Sequence, residues 1–124
     1  MSFLFWRAYA QLLALEVPLQ RGQFSRLYET VRQYPLGREN QTGDTVPRVC
    51  EAIDQACTWY VKRVLCLQRS AATACLLKRA GVPAEFVIGA QFTPFRAHAW
   101  VEVAGSIVND KPYVAEIYSV LARC

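Results

Sequence analysis

The alternation of apolar and polar side chains divides the chain into four helical stretches followed by a strand-rich end. Phe3, Trp6, Ala10, Leu13 and Val17 recur at helical spacing, and Pro18 is expected to end that helix. The helix is expected to cover one side of the core. Because three aromatics fall in its first six residues, a docking surface for a partner protein is the alternative. Phe24, Leu27, Tyr28 and Val31 mark a second, shorter helix running to Tyr34, with Ser25 as a possible cap and Pro35 and Gly37 closing it. Residues 37–44 are polar and turn-rich, the one clear linker. Thr45 or Val46 with Pro47 opens a third helix, whose apolar face is Val49, Ile53, Ala56, Tyr60 and Val64. No glycine or proline separates it from the next helical stretch, which starts at Cys66. A break near 63–65 is therefore required if Cys66 is to open a helix.

From Cys66 to Ala80 the side chains are small (Ser70, Ala71, Ala72, Thr73, Ala74, Cys75), which suits a helix enclosed by its neighbours; Gly81 and Pro83 terminate it. Residues 84–91 predict a strand with Phe86, Ile88 and Ala90 on one face, followed by a loop at 91–96 that holds Pro94. Residues 97–103 predict a second strand, with Ala97, Ala99, Val101 and Val103 inward and His98, Trp100 and Glu102 opposite. Residues 104–106 form the turn and 107–110 return. A three-residue turn places Asp110 opposite Trp100, diagonal to His98 and on its face. A two-residue turn places it opposite Ala99, on the other face. Residues 113–124 predict a last strand followed by a short helix. The expected fold class is α+β, with N-terminal helices and a buried helix packed on a small antiparallel sheet. The expectation is one domain over 1–124, divided into a helical region at 1–44 and a core at 45–124.

Composition narrows the reading. With 53% apolar and 19% charged residues, disorder is excluded. The net charge of +4 is scattered rather than striped, which argues against nucleic acid as a partner. No window of about 18 uncharged apolar residues exists, so no membrane span is expected. Five cysteines (Cys50, Cys57, Cys66, Cys75, Cys124) leave at least one thiol free. With no secretory signal, a reducing cytoplasm is the expected compartment. Their spacing has no paired C-x-x-C and the chain has one histidine, so neither zinc nor any cofactor is expected.

A thiol (Cys66), an imidazole (His98) and a carboxylate (Asp110) follow one another on a helix and a hairpin, the carboxylate twelve residues after the imidazole. That order suits a nucleophile, its base and the base's orienter. A helix start lowers a thiol's pKa, and the Cys66 amide is one candidate oxyanion donor. Taken singly, each residue has a plainer reading: a buried small hydrophobe, a solvated ring, a turn carboxylate. The other four cysteines are expected to be buried packing residues.

The motifs Cys66-Leu67-Gln68-Arg69-Ser70, Gly81-Val82-Pro83-Ala84, Val87-Ile88-Gly89, Pro94-Phe95-Arg96-Ala97-His98-Ala99-Trp100-Val101-Glu102 and Val108-Asn109-Asp110 together resemble the lasso-peptide leader peptidases, the transglutaminase-like B proteins of lasso-peptide biosynthesis. The resemblance covers roughly residues 45–112. It implies a papain/transglutaminase-like core, with a catalytic triad of Cys66, His98 and Asp110. It also implies peptidase action on a ribosomally made precursor, whose freed core is closed by a partner ATP-dependent cyclase. The helical residues before Cys66 leave no room for a fused leader-recognition module. A separate leader-binding protein is therefore implied, with the apolar N-terminal helix as its candidate contact. Trp100 and Arg69 match positions the family keeps and are expected to be scaffold. Acyl transfer of the transglutaminase type, a catalytically silent scaffold for precursor and cyclase, and a free-standing degradative protease remain alternatives.

Overall fold

A computed structural model describes residues 2–38 and 43–124, so the expected linker lies partly outside the described residues. The elements follow the order α1 (Phe3–Gln20), α2 (Phe24–Gln33), α3 (Thr45–Trp59), α4 (Cys66–Arg79), β1 (Ala84–Phe92), β2 (Phe95–Val103), β3 (Ser106–Ile107), α5 (Val114–Ile117) and β4 (Ser119–Arg123). The four strands form an antiparallel sheet in the order β3-β2-β1-β4. The class is α+β, as expected.

The small-residue helix α4 lies at the centre. Every residue from Ser70 to Leu77 is buried. One core unites α1 (Phe5, Ala8, Leu12, Leu15), α2 (Leu27, Val31), α3 (Val49, Ile53, Ala56), α4 and the inner sheet face (Phe86, Ile88, Ala99, Val101). Alanine and serine at the α4 surface let four elements approach its backbone at once. Gly81, at φ 87°, ends the helix as a left-handed residue, and the Val82 amide donates to the Leu77 carbonyl at 2.8 Å.

Several expectations change. Pro18 does not end α1. The carbonyls of Val17 and Pro18 still accept from Arg21 and Gln23, so proline removes one N–H and the helix completes a further turn. The face chosen from spacing is the exposed one. Phe3 is 71% exposed and Trp6 58%, while Phe5, Ala8, Leu12 and Leu15 pack inward. A helix apolar on nearly all sides has no single periodic face to read. Ser25 is not the cap of α2, because Gln23 holds that position. The 91–96 loop is a tight turn through a cis Thr93–Pro94 bond, with Phe92 paired to Phe95. The C-terminal order is reversed: the short helix α5 precedes β4, which pairs with β1.

Ala104 (φ 52°) and Gly105 (φ 81°) form a two-residue turn, with Val103 opposite Ser106 and Glu102 opposite Ile107. The three-residue turn expected from the sequence is therefore wrong. Nor is the outer face of β2 solvated. Trp100 is fully buried against Val87 and Val114, with Ile107 and Tyr118 packed around them. Gly89 makes this second layer possible. A Cβ there would stand 2.8 Å from the Trp100 ring and 2.9 Å from Tyr118 Cβ. Gly89→Ala is expected to destabilise the protein by about 1–3 kcal/mol through overpacking, read as a lower urea midpoint at unchanged slope.

Candidate functional site

Cys66 is the first residue of α4, and Leu65 before it is extended with no side-chain cap. The amides of the first turn therefore face outward, with the positive end of the helix dipole at the thiol. The break that creates this start runs from Tyr60 to Leu65, longer than the 63–65 expected, so the third helix ends at Trp59 and Tyr60 and Val64 lie beyond it. The chain leaves α3 at the extended Tyr60 and re-enters a helix at Cys66. Polar contacts clamp the corner onto α1. The Tyr60 hydroxyl donates to Glu16 Oε1 at 2.9 Å, Lys62 pairs with Glu16 at 2.9 Å, and Gln68 Nε2 donates to the Leu12 carbonyl at 2.9 Å. Burial and the adjacent Glu16 push the Tyr60 hydroxyl up to about 12, so it remains a donor.

His98 lies on β2, where its Nε2 is 2.6 Å from Asp110 Oδ2. Burial raises the Asp110 carboxyl, but the His98 hydrogen bond, the Lys111 amide at 2.8 Å and the charges of His98 and Arg69 outweigh it. Its pKa is held below the ordinary carboxylate value. An ionised carboxylate only accepts, so the shared proton belongs to Nε2 and a neutral ring has its free lone pair on Nδ1. Tyr118 stacks on the imidazole, with centroids 5.1 Å apart and planes at 25°. Trp100 lies behind, its Nε1 donating to Glu102 Oε2 at 2.9 Å.

Asp110 reaches His98 despite the two-residue turn because the ladder stops after Ile107. Val108 N–H still donates to the Val101 carbonyl at 3.0 Å. The Val101 amide, however, donates to Asn109 Oδ1 at 2.8 Å, a side chain standing in for a strand carbonyl. The chain bends there, and Asp110 no longer obeys strand alternation. Asn109 Nδ2 also donates to Ser70 Oγ at 3.0 Å, and Ser70 Oγ donates to the Ala99 carbonyl at 3.0 Å. Ser70 and Asn109 thus join the start of α4 to the β2 edge. In the sequence they stand out only as a small residue and a motif member. The available signal was a serine within the small-residue run and an asparagine shortly after the hairpin turn.

Cys66 and His98 line one cavity of about 150 Å³, together with Phe24, Leu67, Ile88, Ala97 and Ala99. Arg69, expected as scaffold, forks onto Asp54 of α3 at 2.7 and 3.1 Å. Burial pushes up the thiols of Cys50, Cys57, Cys124 and Cys75, the last to about 12, which keeps them protonated. All five cysteines are free.

The model described as the transglutaminase-like superfamily matches residues 10–123. The chain belongs to that superfamily. The microcin J25-processing protein McjB of Escherichia coli is 40% identical to this transglutaminase-like chain over 58 residues, 47% of this chain and 28% of McjB. The match thus spans less than a third of that relative. No solved structure gives a significant match. Among the described residues, no helix is long and apolar enough to cross a membrane.

Two outcomes test this geometry. Asn109→Ala leaves the Val101 amide unpaired and is expected to lower stability by about 1–3 kcal/mol, measured by urea unfolding. Because the folded Asp110 pKa is depressed, its contribution is complete above the unfolded value near 3.8 and is lost as pH falls through the lower folded value. Unfolding free energies of the wild type and Asp110→Asn are therefore expected to begin converging as pH falls below about 3.8 and to meet only below the folded value.

Proposed function

We propose that this chain is a cysteine peptidase that removes the leader from a lasso-peptide precursor. It works in the cytoplasm with a separate leader-binding protein, ahead of the cyclase. The observation carrying the reading is the His98–Asp110 pair at 2.6 Å opening on the same cavity as Cys66. Superfamily membership and the likeness to a microcin-processing protein support it, and five free thiols fit a reducing compartment.

His98 Nδ1 takes the Cys66 proton, and the thiolate adds to the scissile carbonyl carbon. The carbonyl electron pair moves to oxygen, which the Cys66 amide stabilises at the helix start. Collapse breaks the C–N bond. The imidazolium gives its proton to the departing amine, the new N-terminus of the core peptide. Water, deprotonated by His98, then cleaves the thioester and releases the leader carboxylate. Asp110 keeps the proton on Nε2 throughout.

Superfamily membership also favours acyl transfer, in which an amine replaces that water. Reconstituting a lasso precursor, its leader-binding protein and this chain decides the matter by mass spectrometry. Cys66→Ala and His98→Ala are expected to abolish leader release, and Asp110→Asn to lower kcat roughly a thousandfold or more. Unchanged release by Cys66→Ala overturns the peptidase. A leader–amine adduct formed in the presence of added amine makes the chain a transferase.

A further inference from the structure

Helix α1 carries two apolar stripes on opposite sides. Phe5, Ala8, Leu12 and Leu15 are buried in the core. Phe3, Trp6, Ala10, Leu13 and Val17 lie on the other side, and all are exposed. Phe3, Ala10 and Val17 are seven residues apart, as are Trp6, Leu13 and Gln20, so the outer stripe has the heptad spacing of a helix-packing seam. No charged residue interrupts it. Arg7, whose guanidinium lies 4.3 Å from the Phe3 ring, flanks one side, and Glu16 flanks the other.

The seam is graded in size, with its aromatics at one end, alanine in the middle and aliphatics beyond. Parallel pairing with an identical helix would set Trp6 against Trp6 and Ala10 against Ala10. One layer would be overpacked and another left with a hole. Antiparallel pairing over the whole helix, Phe3 opposite Gln20, sets Trp6 against Val17 and Ala10 against Leu13. Each of these layers then joins a larger side chain to a smaller one. Arg7 comes nearest Ala14 of the facing helix, and Glu16 nearest Tyr9, so no like charges stand opposite each other.

We propose that this chain forms a two-fold symmetric dimer, in which the outer stripe of α1 packs antiparallel against the same stripe of a second copy. The same patch on both subunits is then self-complementary, as a two-fold interface requires. The four aromatics of the two copies offer roughly 400–600 Å² of burial. The aliphatics and flanks bring the total toward the roughly 1,200 Å² at which specific interfaces begin. The dimer stands apart from the peptidase reading, because the stripe contains neither Cys66 nor His98 and faces away from the core that holds them.

Sedimentation velocity of the full chain at about 1–100 µM, the range in which a small interface dissociates, tests this. The mass is expected to rise from 14.0 kDa toward twice that value. Leu13→Glu and Ala10→Lys, both at exposed positions, are each expected to weaken dimerisation at least tenfold while keeping the far-UV circular dichroism of the wild type. An equimolar mixture of the two variants is expected to dimerise again. The antiparallel register sets the introduced carboxylate against the introduced ammonium in one layer and leaves Ala10 against Leu13 in the other. A wild type that stays at 14.0 kDa at the highest concentration overturns the dimer. So does a Leu13→Glu chain that associates like the wild type, or a mixture that shows no rescue. If the wild type is monomeric alone and Leu13→Glu blocks its binding to the leader-binding protein, the stripe is that protein's contact and the dimer is again overturned.

Discussion

The site depends on one substitution of a side chain for a backbone group. Val101 exposes its amide and carbonyl on the outer edge of β2. The carbonyl accepts from Val108, and the amide donates to Asn109 Oδ1 rather than to a strand carbonyl. A continued ladder would satisfy the same groups but would hold Asp110 to the strand's alternation, on the face away from His98. Ending the ladder at Asn109 removes that constraint without leaving the amide unpaired. The same asparagine donates to Ser70, and Ser70 to the Ala99 carbonyl, so the edge of β2 is sealed by α4 itself. Helix, strand and the bend before Asp110 are thereby fixed to one another within four residues of Cys66.

This explains what the sequence disclosed and what it withheld. The interior of α4 was legible because small residues in a row, closed by Gly81 and Pro83, admit few structures other than an enclosed helix. The break before Cys66 was legible only as a requirement. Its cause is the Tyr60–Glu16–Lys62 cluster and the Gln68–Leu12 bond, contacts across 44 and 56 residues that no local pattern carries. The α1 face was misread because Phe3, Trp6, Leu13 and Val17 have the same spacing as a buried stripe, and only the position of α4 selects Phe5, Ala8, Leu12 and Leu15 instead. His98 and Asp110 meet as the sequence pairing expects, but by a different route, because β3 ends at Ile107 instead of continuing through residue 110. The C-terminal order failed because α5 and β4 are four and five residues long, too short for periodicity to separate.

The double burial of β2 has its own chemical consequence. Solvent on the Trp100 face would leave the imidazole free to rotate and would screen its carboxylate. Here Tyr118 stacks on the ring and Trp100 lies behind it, held by Glu102, which Arg123 pairs at 3.0 Å. Tyr118, just ahead of β4, and Trp100 of β2 thus back the imidazole with two aromatic rings. With that side occupied and Asp110 on Nε2, the ring also borders the apolar cavity that Cys66 lines. Water is excluded from the back of the ring. The ionised carboxylate therefore acts on the imidazole at a lower effective dielectric than a solvated pair would have. Under the proposed function, that lets an Asp–His pair on a small sheet supply an oriented base without a deep cleft around it.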